Sequence, residues 1–193
     1  MKHTLVLATL IVLVSPLVSR GETADVSWTK NSKTGSYTNL QTKIEFPRRV
    51  ASFTRDRATP GHEDGSASFG YSGNSGVITL YLRHRGISDC LREGDCVPRF
   101  LTAYREDLKR RYGKSDTESS FSLSGKCGGR AVRGAGTTYH FLHFPSKDGP
   151  SAYSEIGAVQ VGNFIYYYRA SFPHKRGLAD LVAFLRALGL RKV

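Results

Sequence analysis

Gly162–Asn163 stands between two runs with alternating side chains, SAYSEIGAVQV (151–161) and FIYYYRASF (164–172). A Gly/Asn pair in that setting reverses the chain in a two-residue hairpin and fixes the register of the flanking strands. Val161 is then set opposite Phe164. Because strand side chains alternate between faces, Gly157, Val159, Tyr166, Tyr168 and Ala170 share one side. Ile156, Ala158, Gln160, Ile165, Tyr167 and Arg169 share the other. The first side is the more apolar and is the expected core face. No other feature constrains the chain as tightly, because it commits the C-terminal half to an antiparallel sheet.

Further strands follow from the same period of two. From Thr42 the segment TKIEFP alternates, and SFTRDRA (52–58) runs to the turn-rich TPGHEDG. SASFGYS (66–72) and VITLYLR (77–83) flank GNSG as a hairpin. Ile78, Leu80 and Leu82 point one way, and Thr79, Tyr81 and Arg83 the other. ESSFSLS (118–124) and RAVRGAGTTYHFLHF (130–144) complete the set. The glycines of the latter are expected to permit a bulge or tight bend.

Two segments change period. In VPRFLTAYREDLKRRYG (97–113), Val97, Leu101, Tyr104 and Leu108 line one face of a helix. Pro98 suits its first turn, Gly113 its cap, and Lys109, Arg110 and Arg111 the negative end of its dipole. In HKRGLADLVAFLRALG (174–189), Leu178, Leu181, Val182, Leu185 and Leu188 form an apolar stripe closed by Gly189. Strands, helix, strands, helix give an α+β class, an antiparallel β-sheet with two helices packed on it.

The chain opens with Lys2 and an uncharged apolar run, LVLATLIVLV (5–14), followed by small residues at Ser19 and Gly21. That pattern reads as a secretory signal over residues 1–21, too short before Pro16 and Arg20 to span a bilayer. Its removal takes Lys2 and Arg20 and no acid, lowering the formal charge from +12 to +10. Residues 22–40 are polar and read as a flexible lead-in with one short strand near 26–28. Residues 41–193 form a single α+β domain with no membrane span in the mature chain. The basic balance favours a protein or anionic envelope partner and a periplasmic or secreted location. Export argues against nucleic acid. The Lys and Arg residues are spread in small groups, so much of the charge is solvation.

The three cysteines are Cys90, Cys96 and Cys127. Cys90 and Cys96 lie too far apart for a C-x-x-C redox motif, and the chain does not supply a tetrahedral zinc set around them. In an exported loop the simplest reading is a Cys90–Cys96 disulfide with a free, buried Cys127. Pairings of either residue with Cys127 stay open. His140 and His143 fall on opposite faces of a strand and cannot grip one metal without a bulge. His62, beside Glu63 and Asp64, sits in a turn. GYSGNSG (70–76) is not a nucleophile elbow, and GGRAVRGAG (128–136) is neither a dinucleotide fingerprint nor a phosphate loop. No catalytic residue, metal site or cofactor is therefore assigned. One constellation stands out on the non-core face: Thr79, Tyr81 and Arg83 of one strand, and Tyr167 and Arg169 of another. Tyr and Arg are enriched where partners bind.

Ile44-Glu-Phe-Pro47, Ser52-Phe-Thr-Arg55, Ser68-Phe-Gly-Tyr71, Thr79-Leu-Tyr-Leu82, Gly134-x-x-x-x-Tyr139 and the 161–172 strand form a pattern together with the closing helix. Over about residues 40–190 this pattern resembles an exported proteobacterial hypothetical protein with a PsbP-like fold, the α/β/α sandwich named for the extrinsic subunit P of photosystem II. The resemblance implies a binding or accessory role and transfers no active site. The expectation is a non-enzymatic exported binding domain. The alternatives are a chaperone or immunity protein for an exported toxin, and an envelope hydrolase.

Overall fold

The computed structural model describes residues 27–61, 65–84, 96–112, 117–141 and 151–193. The expected signal segment, His62, Cys90, Gly113 and His143 lie outside the described residues. Three short strands, β1 (Trp28–Lys30), β2 (Tyr37–Asn39) and β3 (Glu45–Phe46), form a small antiparallel sheet. The remaining strands are β4 (Arg49–Val50), β5 (Phe53–Thr59), β6 (Ala67–Gly73), β7 (Gly76–His84), β8 (Thr117–Cys127), β9 (Arg130–Phe141), β10 (Ala152–Val161), β11 (Phe164–Phe172) and β12 (Leu190–Lys192). They build a nine-stranded antiparallel sheet in the order β12-β8-β9-β10-β11-β7-β6-β5-β4. Two helices, α1 (Val97–Tyr112) and α2 (Gly177–Ala187), pack on it. Among the described residues no helix is long and apolar enough to cross a membrane.

The Gly162–Asn163 hairpin forms in the expected register, Val161 opposite Phe164 and onward to Tyr153 opposite Phe172. Its strand β11 then pairs with β7, which brings the two hairpins together at the centre of the sheet. One face carries the main core. Leu80, Leu82, Phe69, Tyr166 and Tyr168 meet Leu181, Phe184 and Leu185 of α2 there, along with Trp28, Ile44 and Phe46 around the small sheet. Leu181 and Leu185 of the expected α2 stripe are buried and Leu178, Val182 and Leu188 half-buried, while the largest anchor is Phe184, fully buried and outside the stripe read from the sequence. Gly189 adopts φ +81°, a left-handed conformation open to glycine at little cost, and ends the helix.

The other face is not left to solvent. Cys96 and Val97 pack on Ala158 and Ile165, and Leu108 packs with Tyr139, Phe141 and Ile156. Helix α1 therefore covers the β9–β10 half of the face assigned as non-core. An amphipathic helix must bury its stripe, and Ile156, Ala158 and Ile165 supply the apolar ground.

Three further readings are corrected. Residues 28–30 and 37–39 of the expected lead-in are strands, held because Trp28 and Asn39 are buried. The glycines of β9 do not mark a bulge, since its register with β8 and β10 is unbroken. Gly136 makes room for a ring instead, since a Cβ there would stand 2.2 Å from Phe121 Cζ, whereas Gly134 lets the neighbouring strand approach, its Cβ position lying 2.0 Å from the Ala158 carbonyl oxygen. The chain also does not close on a helix: Leu190–Lys192 returns as an edge strand on β8.

Candidate binding face

The five residues singled out on the non-core face do converge. In the β7–β11 ladder Tyr167 lies opposite Tyr81, Arg169 opposite Thr79, and Ile165 opposite Arg83. All five side chains share one side of the sheet because each sits an even number of residues from its neighbour. The Tyr81 and Tyr167 rings stack, with centroids 4.5 Å apart and planes within 8°. Arg83 is exposed, and Thr79, Tyr81 and Arg169 are half-buried.

Helix α1 borders this face without closing it. Its Phe100 ring lies 4.6 Å from that of Tyr167, which is half-buried as a result. Burial chiefly, helped by Tyr81 and opposed by Arg83, pushes the Tyr167 phenol up to about 12. Near neutral pH it is a neutral hydroxyl that can donate and accept hydrogen bonds. Beyond β7 the ground falls away: β6 sets Ser72, Gly70 and Ser68 opposite Val77, Thr79 and Tyr81. Asp56 and Arg57 of β5 stand on the far side, an Asp56 carboxylate oxygen 3.0 Å and the Arg57 Cβ 3.3 Å from where a Cβ on Gly70 would lie. We call this strip of small residues, between the tyrosine stack and Phe100 on one side and Asp56 and Arg57 on the other, the trough. Val77, 53% exposed, lies at its end.

Nothing in the sequence reading pointed to Glu155. It is 1% exposed on the core face. Tyr168 donates to its Oε1 at 2.7 Å, while Thr138 and Lys192 donate to its Oε2 at 2.6 and 2.8 Å. Lys192 also sits 3.9 Å above the Phe121 ring. Burial, together with the neighbouring Glu155 carboxylate, raises the Tyr168 phenol well above its ordinary value, so it remains a donor. The carboxylate's donors all come from this chain. The network ties edge strand β12 to the middle of the sheet. The only trace of it in the sequence is a Glu at a core-facing position of a strand, visible once the register is fixed.

His140 stacks on Tyr153 at 4.5 Å, and among the described residues no group of His, Cys, Asp and Glu could hold a metal. Cys127 is free and buried in the main core. Burial pushes its thiol up to about 12, so it is a poor nucleophile. Cys96 belongs to the cluster under α1, on the opposite side of the sheet. A Cys96–Cys127 bond would have to cross the sheet, which disulfide geometry forbids. Alkylation of denatured, unreduced protein is accordingly expected to add one label, on Cys127. A label on Cys96 would contradict pairing with Cys90.

Neither a protein-family model nor a curated protein matches this chain.

Proposed function

We propose that this chain is an exported, non-enzymatic binding domain whose partner docks on the trough beside α1. The observation that carries the reading is the convergence of Tyr81, Tyr167, Arg83 and Arg169 on adjacent strands next to a helix edge. Stacked tyrosines offer rigid apolar area with a hydroxyl at the rim, and arginines offer planar donors for carboxylate or phosphate. The basic surface suits a protein or anionic envelope component as partner. The signal-like first 21 residues support a periplasmic or secreted location, and the helix-bearing antiparallel sheet is compatible with a PsbP-like sandwich.

The test is a pair of substitutions that leave the core alone. Tyr167→Ala is a poor choice, because Tyr167 props Phe100 and its loss loosens α1. Arg83→Glu with Tyr81→Ser removes the exposed charge and one ring of the stack while leaving Tyr167 against Phe100. Unfolding should shift by about 1 kcal/mol, the worth of the lost ring pair, whereas retention of the partner on immobilised protein from the native envelope fraction should fall about 30-fold, the equivalent of ~2 kcal/mol at a binding hot spot. Equal retention by wild type and variant would remove the trough as the docking site.

A further inference from the structure

A second concave site lies at the opposite end of the sheet, where the turn after α2 meets β8. It is lined by Lys126, Arg186, Arg191 and Lys192 together with Ser124 and Val182, and no carboxylate lines it. Lys192 is committed to Glu155 at 2.8 Å. Lys126, Arg186 and Arg191 form no ion pair among the described residues, and all three are exposed. The site is assembled by the edge strand: Leu190 pairs with Gly125 and Arg191 with Ser124, which sets Arg191 beside the strand that carries Lys126. Arg186 comes from the last turn of α2. That helix end would repel an anion, although three of its last carbonyls are capped: the amides of Leu188 and Gly189 donate to Phe184, Leu185 and Arg186. The full charges of the three cations outweigh the roughly half charge of the helix end.

We infer that this cleft binds a phosphate group. Like charges gathered in a concave site raise the local concentration of an anion of matching size. Two guanidinium forks favour the tetrahedral, multiply accepting phosphate over a single carboxylate, and the Lys126 ammonium adds point charge. The inference takes up the anionic-partner side of the proposed function but rests on a separate site. The phosphate has two sources with the same chemistry, a free phosphorylated anion or a phospholipid headgroup.

Inorganic pyrophosphate titrated into the full chain and followed calorimetrically tests the first source. Sedimentation with phosphatidylglycerol vesicles, against phosphatidylcholine vesicles, tests the second. At least one is expected to bind. The triple variant Lys126→Ala, Arg186→Ala, Arg191→Ala should weaken that binding by at least roughly tenfold, because each lost charge-assisted contact contributes. Arg48→Ala with Arg49→Ala, which removes charge elsewhere, should leave it nearly unchanged. So should Arg83→Glu with Tyr81→Ser, which separates this site from the trough. Equal weakening by the triple and the Arg48/Arg49 variants would show generic attraction and overturn the site. Absence of binding to both pyrophosphate and phosphatidylglycerol would overturn it as well.

Discussion

Phe184→Ala is expected to cost about 3–5 kcal/mol of folding stability, the range for deleting a fully buried phenyl group. Phe184 is inaccessible to solvent. Its ring meets Phe53 edge-on at 5.4 Å and Tyr71 at 5.2 Å. Phe53 and Tyr71 lie on β5 and β6, far from the edge strand that follows α2. The ring therefore clamps the closing helix to the half of the sheet with which the chain's end has no hydrogen bonding. Its loss leaves a cavity between helix and sheet that neither can fill by shifting, since α2 is anchored by Leu181 and Leu185 on the same face. Urea denaturation should show a lower midpoint with little change in slope. A loss below about 1 kcal/mol would mean that α2 packs elsewhere, because buried aromatic deletions do not cost so little.

Lys192→Met is expected to cost about 3 kcal/mol, toward the lower end for stranding a buried charge, because the Lys192 side chain keeps some contact with water. Glu155 would keep the Thr138 and Tyr168 donors and lose the cation that pairs with it among the described residues. Adding Glu155→Gln should recover most of the loss, since a neutral amide needs no counter-charge: its carbonyl accepts from one of the two hydroxyls and its NH2 donates to the other, which can turn its own proton away. The double variant separates a charge effect from loss of the Lys192 stem over Phe121. If the pair is as unstable as Lys192→Met alone, packing on the ring and not the ion pair holds β12.

Local period was enough to place the elements that carry most of the core. The GN loop set the β10–β11 register without error, and VITLYLR placed Ile78, Leu80 and Leu82 inward and Thr79, Tyr81 and Arg83 outward. Strand neighbours were not legible: that β11 pairs with β7 depends on crossover connections, which leave no mark on either strand. This is also why α1 was not foreseen lying over Ile156 and Ala158. Two shorter signals were lost for other reasons. Leu190–Lys192 is too short to show alternation, and Tyr37–Asn39 lies in a polar stretch whose Tyr37 packs on Phe69, far along the chain. Gly136 was misread because a glycine under an aromatic ring and a glycine at a bend look alike until the ring's strand is placed. Glu155 escaped notice because its partners, Thr138, Tyr168 and Lys192, are scattered in sequence and meet only through the sheet.

Where a partner touches the chain can be read directly by cross-linking. A photoreactive phenylalanine derivative placed at Tyr81 lies within the tyrosine stack at the trough wall. The same group at Lys30, exposed on the small sheet, is the control. Both proteins are irradiated in the native envelope fraction. The trough predicts one discrete cross-linked product from position 81 and none of that product from position 30. The same product from both positions, or none from position 81, would contradict docking on this face.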